Sequence, residues 1–70
     1  MINKIKELFK GCGDVMICCI DANQGYYKLY RDSDLGCRMN WVKCKKIMDN
    51  QGFKYYDGTD GYTRCIGFWV

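Results

Sequence analysis

The chain is 70 residues long, 49% hydrophobic and 27% charged, with a net charge of +3 and a pI of about 8.5. That length holds one domain, the composition excludes a disordered chain, and the charge falls short of the pI above ~9 usual for a dedicated nucleic-acid domain. Histidine is absent, which removes Ser-His-Asp and Cys-His catalysis and imidazole ligation of metals, and with Glu7 the sole glutamate any paired-carboxylate chemistry falls to aspartates.

The opening "INKIKELFKG" reads as a short helix: Ile2, Ile5, Leu8 and Phe9 share one face, Lys4, Lys6 and Lys10 avoid it, and Gly11 suits a C-terminal stop. Lysines alternate with apolar residues there, so the segment is not a secretion signal, and no stretch approaches the ~20 apolar residues of a membrane span. The expected compartment is a reducing cytoplasm, the host's if the chain is phage-encoded. "DVMICCI" (14–20) is a continuous apolar run, the signature of a strand covered on both faces or nearly so. "DANQG" (21–25) is turn chemistry, and "YYKLYR" (26–31) alternates as a second strand, completing a hairpin.

"DSD" (32–34) offers successive N-caps, so a second helix is expected to start there and run to about Met48, closed by Asn50, Gln51 and Gly52. "FKYY" is a third strand, "DGTDG" (57–61) a turn, and "YTRCIGFWV" a fourth strand. The reading is a small single α+β domain over residues 1–70, in the order α-β-β-α-β-β. Its sheet is four-stranded and mainly antiparallel, with two helices on one face.

Six cysteines in so short a chain raise the question of disulfides or zinc. On a helix, Cys37, Trp41, Cys44 and Met48 fall at i, i+4, i+7 and i+11, one core-facing stripe, with Trp41 as the central residue joining helix to sheet. Cys18 and Cys19 are strand neighbours and point to opposite faces. No CxxC pair occurs, although structural zinc sites almost always contain one pair spaced by two to four. These cysteines read as small buried hydrophobes, reduced and free of metal, and no cofactor is expected. Cys12, between two glycines after a lysine-rich helix, reads as the exposed thiol.

Two surfaces remain. Leu35, Met39 and Val42 form a second helical stripe with Arg38, Lys43, Lys45 and Lys46 around it, which either tucks under the first helix or meets a partner. On the sheet, Tyr26, Lys28 and Tyr30 oppose Tyr27, Leu29 and Arg31; Phe53 and Tyr55 oppose Lys54 and Tyr56; Tyr62, Arg64, Ile66 and Phe68 oppose Thr63, Cys65 and Trp69. Whichever face is open carries tyrosines, which either reflect strand propensity or anchor an interface. The candidate partner-binding residues are Tyr27, Tyr30, Tyr56 and Arg64 on the sheet, with Met39, Val42, Lys45 and Lys46 on the helix.

The expected function is a non-enzymatic binding protein that occludes a macromolecular partner, a host protein or complex. Small phage and mobile-element proteins that inhibit host defence or transcription complexes share this profile. The alternative is a small nucleic-acid-binding regulator using the aromatic and basic sheet or the basic helix. Nucleic acid is expected to bind only weakly, since Asp57 and Asp60 repel phosphates at one end of the sheet.

Overall fold

The computed structural model describes residues 2–32 and 38–70. The first helix, α1, spans Ile2–Leu8 and continues through Phe9 into a 3-10 turn at Lys10–Cys12. Seven residues are too few for a stable isolated helix, so its place is set by the apolar residues it buries, Ile5, Phe9 and Cys12. Strand β1 covers Val15–Asp21 and β2 Tyr26–Arg31. Helix α2 covers Trp41–Gln51, β3 Lys54–Asp60 and β4 Thr63–Trp69. The strands form one antiparallel sheet in the order β1-β2-β4-β3. The α-β-β-α-β-β order and the four-stranded sheet are as the periodicities predict.

Both helices pack on the same face. Ile5 and Phe9 from the N-terminal segment and Cys44 and Met48 from α2 meet Ile17, Tyr27, Leu29, Ile66 and Phe68 of the sheet in one core. Phe68 lies near its middle, edge-on to Phe9 at 5.5 Å and stacked with Tyr27 at 5.8 Å and Phe53 at 6.0 Å between ring centroids. Among the described residues, no helix is long and apolar enough to cross a membrane.

Four expectations need correction. Helix α2 starts at Trp41, not at residues 32–34. The Asp14 amide donates to the Arg38 carbonyl and Met39 bridges Gly13, which holds the approach to the helix extended. Gly13 permits this: its φ is 98°, and a Cβ there would run into the Arg38 carbonyl oxygen. Asn40 becomes the N-cap, its side chain accepting from the Lys43 amide at 3.0 Å. The expected caps Ser33 and Asp34, together with Leu35 and Cys37, lie outside the described residues.

Trp41 consequently sits at the first turn, half-buried at the rim of the core, with Cys44 and Met48 fully buried below it. The third correction concerns β1, an edge strand with Met16 and Ile20 43% and 48% exposed, not a strand covered on both faces. Finally, β3 runs on to Asp60, so only Gly61 and Tyr62 form the last turn.

Candidate functional site

Strand alternation sends Tyr26, Lys28 and Tyr30 of β2 away from the helices. Cross-strand pairing adds Cys65, Gly67 and Trp69 of β4, and Lys54, Tyr56 and Gly58 of β3, to the same face. No described helix or loop packs over it. Three aromatic rings dominate this open face. Tyr26 stacks on Trp69, with centroids 4.6 Å apart and planes 17° apart, and Tyr56 leans on Trp69 at 5.7 Å. The Tyr26 and Tyr56 hydroxyls are hydrogen-bonded to each other across the β4 strand between them.

The close approach of Tyr56 depends on Gly67. A Cβ at that position would overlap the Tyr56 ring and hydroxyl, so the missing side chain lets the ring lie down on β4. Beside this cluster the Tyr30 hydroxyl donates to the Asp60 carboxylate at 2.9 Å, and Lys28 pairs with the same carboxylate at 3.8 Å. The bond to Tyr56, and then burial, push the Tyr26 phenol up to about 12. Burial, and then the Asp60 carboxylate, raise that of Tyr30 as well. Both hydroxyls stay protonated at neutral pH, and the face is an aromatic platform with the Lys28–Asp60 ion pair at one side and the exposed Lys54, in register with Trp69, at the other.

The helix side carries a different polar group. Asp57 accepts from Arg64 through both guanidinium nitrogens Nε and Nη2, at 3.2 and 2.8 Å, and pairs with Lys45 of α2 at 2.6 Å. Arg64 in turn lies over the Trp41 ring, 4.3 Å from its centroid. Arg64 and then Lys45 hold the Asp57 carboxyl down at about 2. This network fastens α2 to β3 and β4 at the rim of the core.

The candidate residues are thereby sorted. Tyr30 and Tyr56 are on the open face, whereas Tyr27, 3% exposed, turns into the core. Arg64 and Lys45 are engaged with Asp57 on the helix side. Lys46 and Val42 are solvent-exposed, Val42 at 63%. Met39 precedes the helix, half-buried in its bridge to Gly13, so it shares no helical stripe with Val42. Tyr26 and Trp69 were not singled out from the sequence as contact residues, although the alternation places both opposite the core-facing Tyr27 and Phe68.

The cysteines also divide. Among the described residues Cys12, Cys44 and Cys65 are buried, Cys18 is half-buried and Cys19 is exposed, which corrects the expectation for Cys12. Gly11 and Gly13 on either side of Cys12 are exposed, while its thiol is buried against that of Cys44. Burial, and then the neighbouring Cys12 thiol, push Cys44 up to about 12, far from the thiolate a nucleophile needs. Among the described residues no three acidic or cysteine side chains come together as metal ligands do. No protein-family model, curated protein or solved structure matches the chain.

Proposed function

We propose that the protein is a non-enzymatic binding protein that lays the open face of its sheet against a protein partner and so occludes it. The observation that carries this reading is the contiguous Tyr26, Tyr56 and Trp69 cluster on a face that nothing in the described chain covers. Stacked and hydrogen-bonded rings lose little conformational freedom on contact, so their apolar area is available for affinity. Tyrosine and tryptophan are also the side chains most often found to anchor interfaces.

Protein is favoured over nucleic acid by charge. Lys28 on this face is paired with Asp60, which leaves Lys54 as the cation that would meet a phosphate there, and Lys45 and Arg64 are paired with Asp57 on the other side. The second reading, a nucleic-acid-binding regulator, draws on the same rings, since exposed aromatics stack bases as well. That the partner is a host defence or transcription complex rests on the profile of the chain: small, tyrosine- and lysine-rich, without histidine.

The test is capture of partners from extracts of the source cells by the unaltered protein and by Tyr56→Ala and Trp69→Ala variants. A partner retained by the first and lost by both folded variants is the expected result. Equal capture by all three would remove the open face from consideration. Oligonucleotide binding at submicromolar affinity in ~150 mM salt would promote the nucleic-acid reading, because purely electrostatic binding is erased there.

A further inference from the structure

Cys12 and Cys44 meet in the core from two separate elements, and the proposed contact surface uses neither. Cys12 closes the 3-10 turn after α1 and Cys44 lies on the buried side of α2, with the two thiols in hydrogen-bond contact. The backbones that carry them are tied together. The Asn40 amide donates to the Cys12 carbonyl at 2.9 Å, and the Cys44 amide donates to the Asn40 carbonyl at 3.1 Å. The Lys43 ammonium donates to the Gly11 carbonyl at 2.9 Å. The other described thiols are kept apart from this pair. Cys18 and Cys65 belong to the open face, on the far side of the sheet, and Cys19 lies exposed beside Tyr27.

We infer that Cys12 and Cys44 are a modification site, a latent disulfide that a small oxidising disulfide such as oxidised glutathione converts into a covalent latch between the N-terminal segment and α2. The reaction is thiol–disulfide exchange. One cysteine attacks the glutathione disulfide as its thiolate and releases one reduced glutathione; the other then attacks the mixed disulfide and releases the second. The two protein thiols lose two electrons and two protons, and the oxidised glutathione takes them up. Burial decides when this happens. The shielded Cys44 thiol holds its proton, so the closed fold is inert and the bond forms as the chain opens or folds.

The fold favours this bond. A disulfide between residues 12 and 44 closes a long loop that takes in both β1 and β2, and longer loops restrict the unfolded chain more. By linkage, the bond stabilises the fold by as much as the fold stabilises the bond. It also adds a covalent tie to an N-terminal segment seated by the burial of Ile5 and Phe9. The inference is independent of what the aromatic platform binds.

Refolding the reduced protein in glutathione buffers tests it, with peptide mass mapping to place the bond. The expected product is a monomer that has lost two hydrogen atoms and joins Cys12 to Cys44. At fixed reduced glutathione, half-oxidation in native buffer should need about tenfold less oxidised glutathione, or lower still, than in concentrated urea. The oxidised protein should melt roughly 10 °C above the reduced one. Cys12→Ala should remove both the bond and the shift, and Cys65→Ala should keep both. Protein that stays reduced, or that carries glutathione on single cysteines, overturns the inference, as does a bond mapped to another pair, Cys37 included. So does equally ready oxidation in urea, or an oxidised form that melts no higher than the reduced one.

Discussion

On β4, Ile66 and Phe68 turn toward the helices and are fully buried, while Gly67 and Trp69, each one residue further on, turn to the open side. The covered face is held by apolar packing, with Phe68 among Phe9, Tyr27 and Phe53. The open face is held by ring stacking and a hydroxyl pair, around Trp69, Tyr26 and Tyr56. A domain of this size has one core, and the second face is ordered by a single layer of partly buried rings that closes Cys65 and Gly67 beneath it. The core and the proposed contact surface are thereby built from alternate residues of the same strands.

The sharpest way to break that comparison is to truncate neighbours on the two faces. Phe68→Ala should cost about 3–5 kcal/mol, most of what a small domain has to lose. Trp69→Ala, which forfeits two aromatic contacts of a half-buried ring, should cost about 1–2 kcal/mol and leave cooperative unfolding intact. Chemical denaturation of both variants checks this, and equal losses would show that the open face is structural. Trp41→Ala should fall between them, at about 2 kcal/mol, because the ring sits at the rim under Arg64 instead of in the centre.

Gly67→Ala sharpens the comparison without touching the core. The added methyl should lift Tyr56 off β4 at a cost of about 1 kcal/mol and free Tyr26 from its hydroxyl partner. Ultraviolet titration should then find the Tyr26 phenol shifted back toward the ordinary tyrosine range, and partner capture should fail while the fold persists. Of the five described cysteines, thiol labelling of the unaltered protein should reach Cys19 first and Cys18 next, with Cys12, Cys44 and Cys65 reacting only on unfolding. Early reaction of Cys65 would mean that the platform does not shield β4.

The smallest effect is in pH. Asp57 has a folded-state value below its unfolded one, so the stability it contributes is present above about pH 4 and fades as pH falls toward about 2. Tyr26 has a raised value, so its contribution is complete below about pH 10 and is lost as pH rises through about 12. Single-tryptophan variants should report the two separately: Trp41 fluorescence responds to the acid step through Arg64, and Trp69 to the alkaline one. Acid sensitivity at Trp69 alone would contradict the separation.

Much of this layout was legible in the sequence, for reasons that mark its limits. The strands could be read because alternation in "YYKLYR" and "TRCIGFW" is local and has period two. The same alternation sorts residues into two sets without saying which set faces the helices, and Tyr27 was placed on the surface for that reason. The start of α2 was missed because three good caps at 32–34 compete with Asn40, and the bridge from Gly13 to Met39 decides between them from 26 residues away. The apolar run in β1 suggested burial, since composition cannot distinguish a central strand from an unguarded edge. Asp57, which gathers Lys45 and Arg64, gave no local signal at all.

The order β1-β2-β4-β3 has a kinetic consequence. The sheet consists of two local hairpins, β1 with β2 and β3 with β4, joined along one seam between β2 and β4. Each hairpin closes over a short turn, whereas the seam runs from Tyr26 against Trp69 to Tyr30 against Cys65 and must bring distant parts of the chain together. Closing that long loop is the entropically slow event and should set the folding rate. The Tyr26–Trp69 stack and the Tyr26–Tyr56 hydroxyl bond both cross the seam, so the aromatic platform doubles as its clasp. It comes into being only when the two halves dock, and the change in Trp69 emission during refolding times that docking directly.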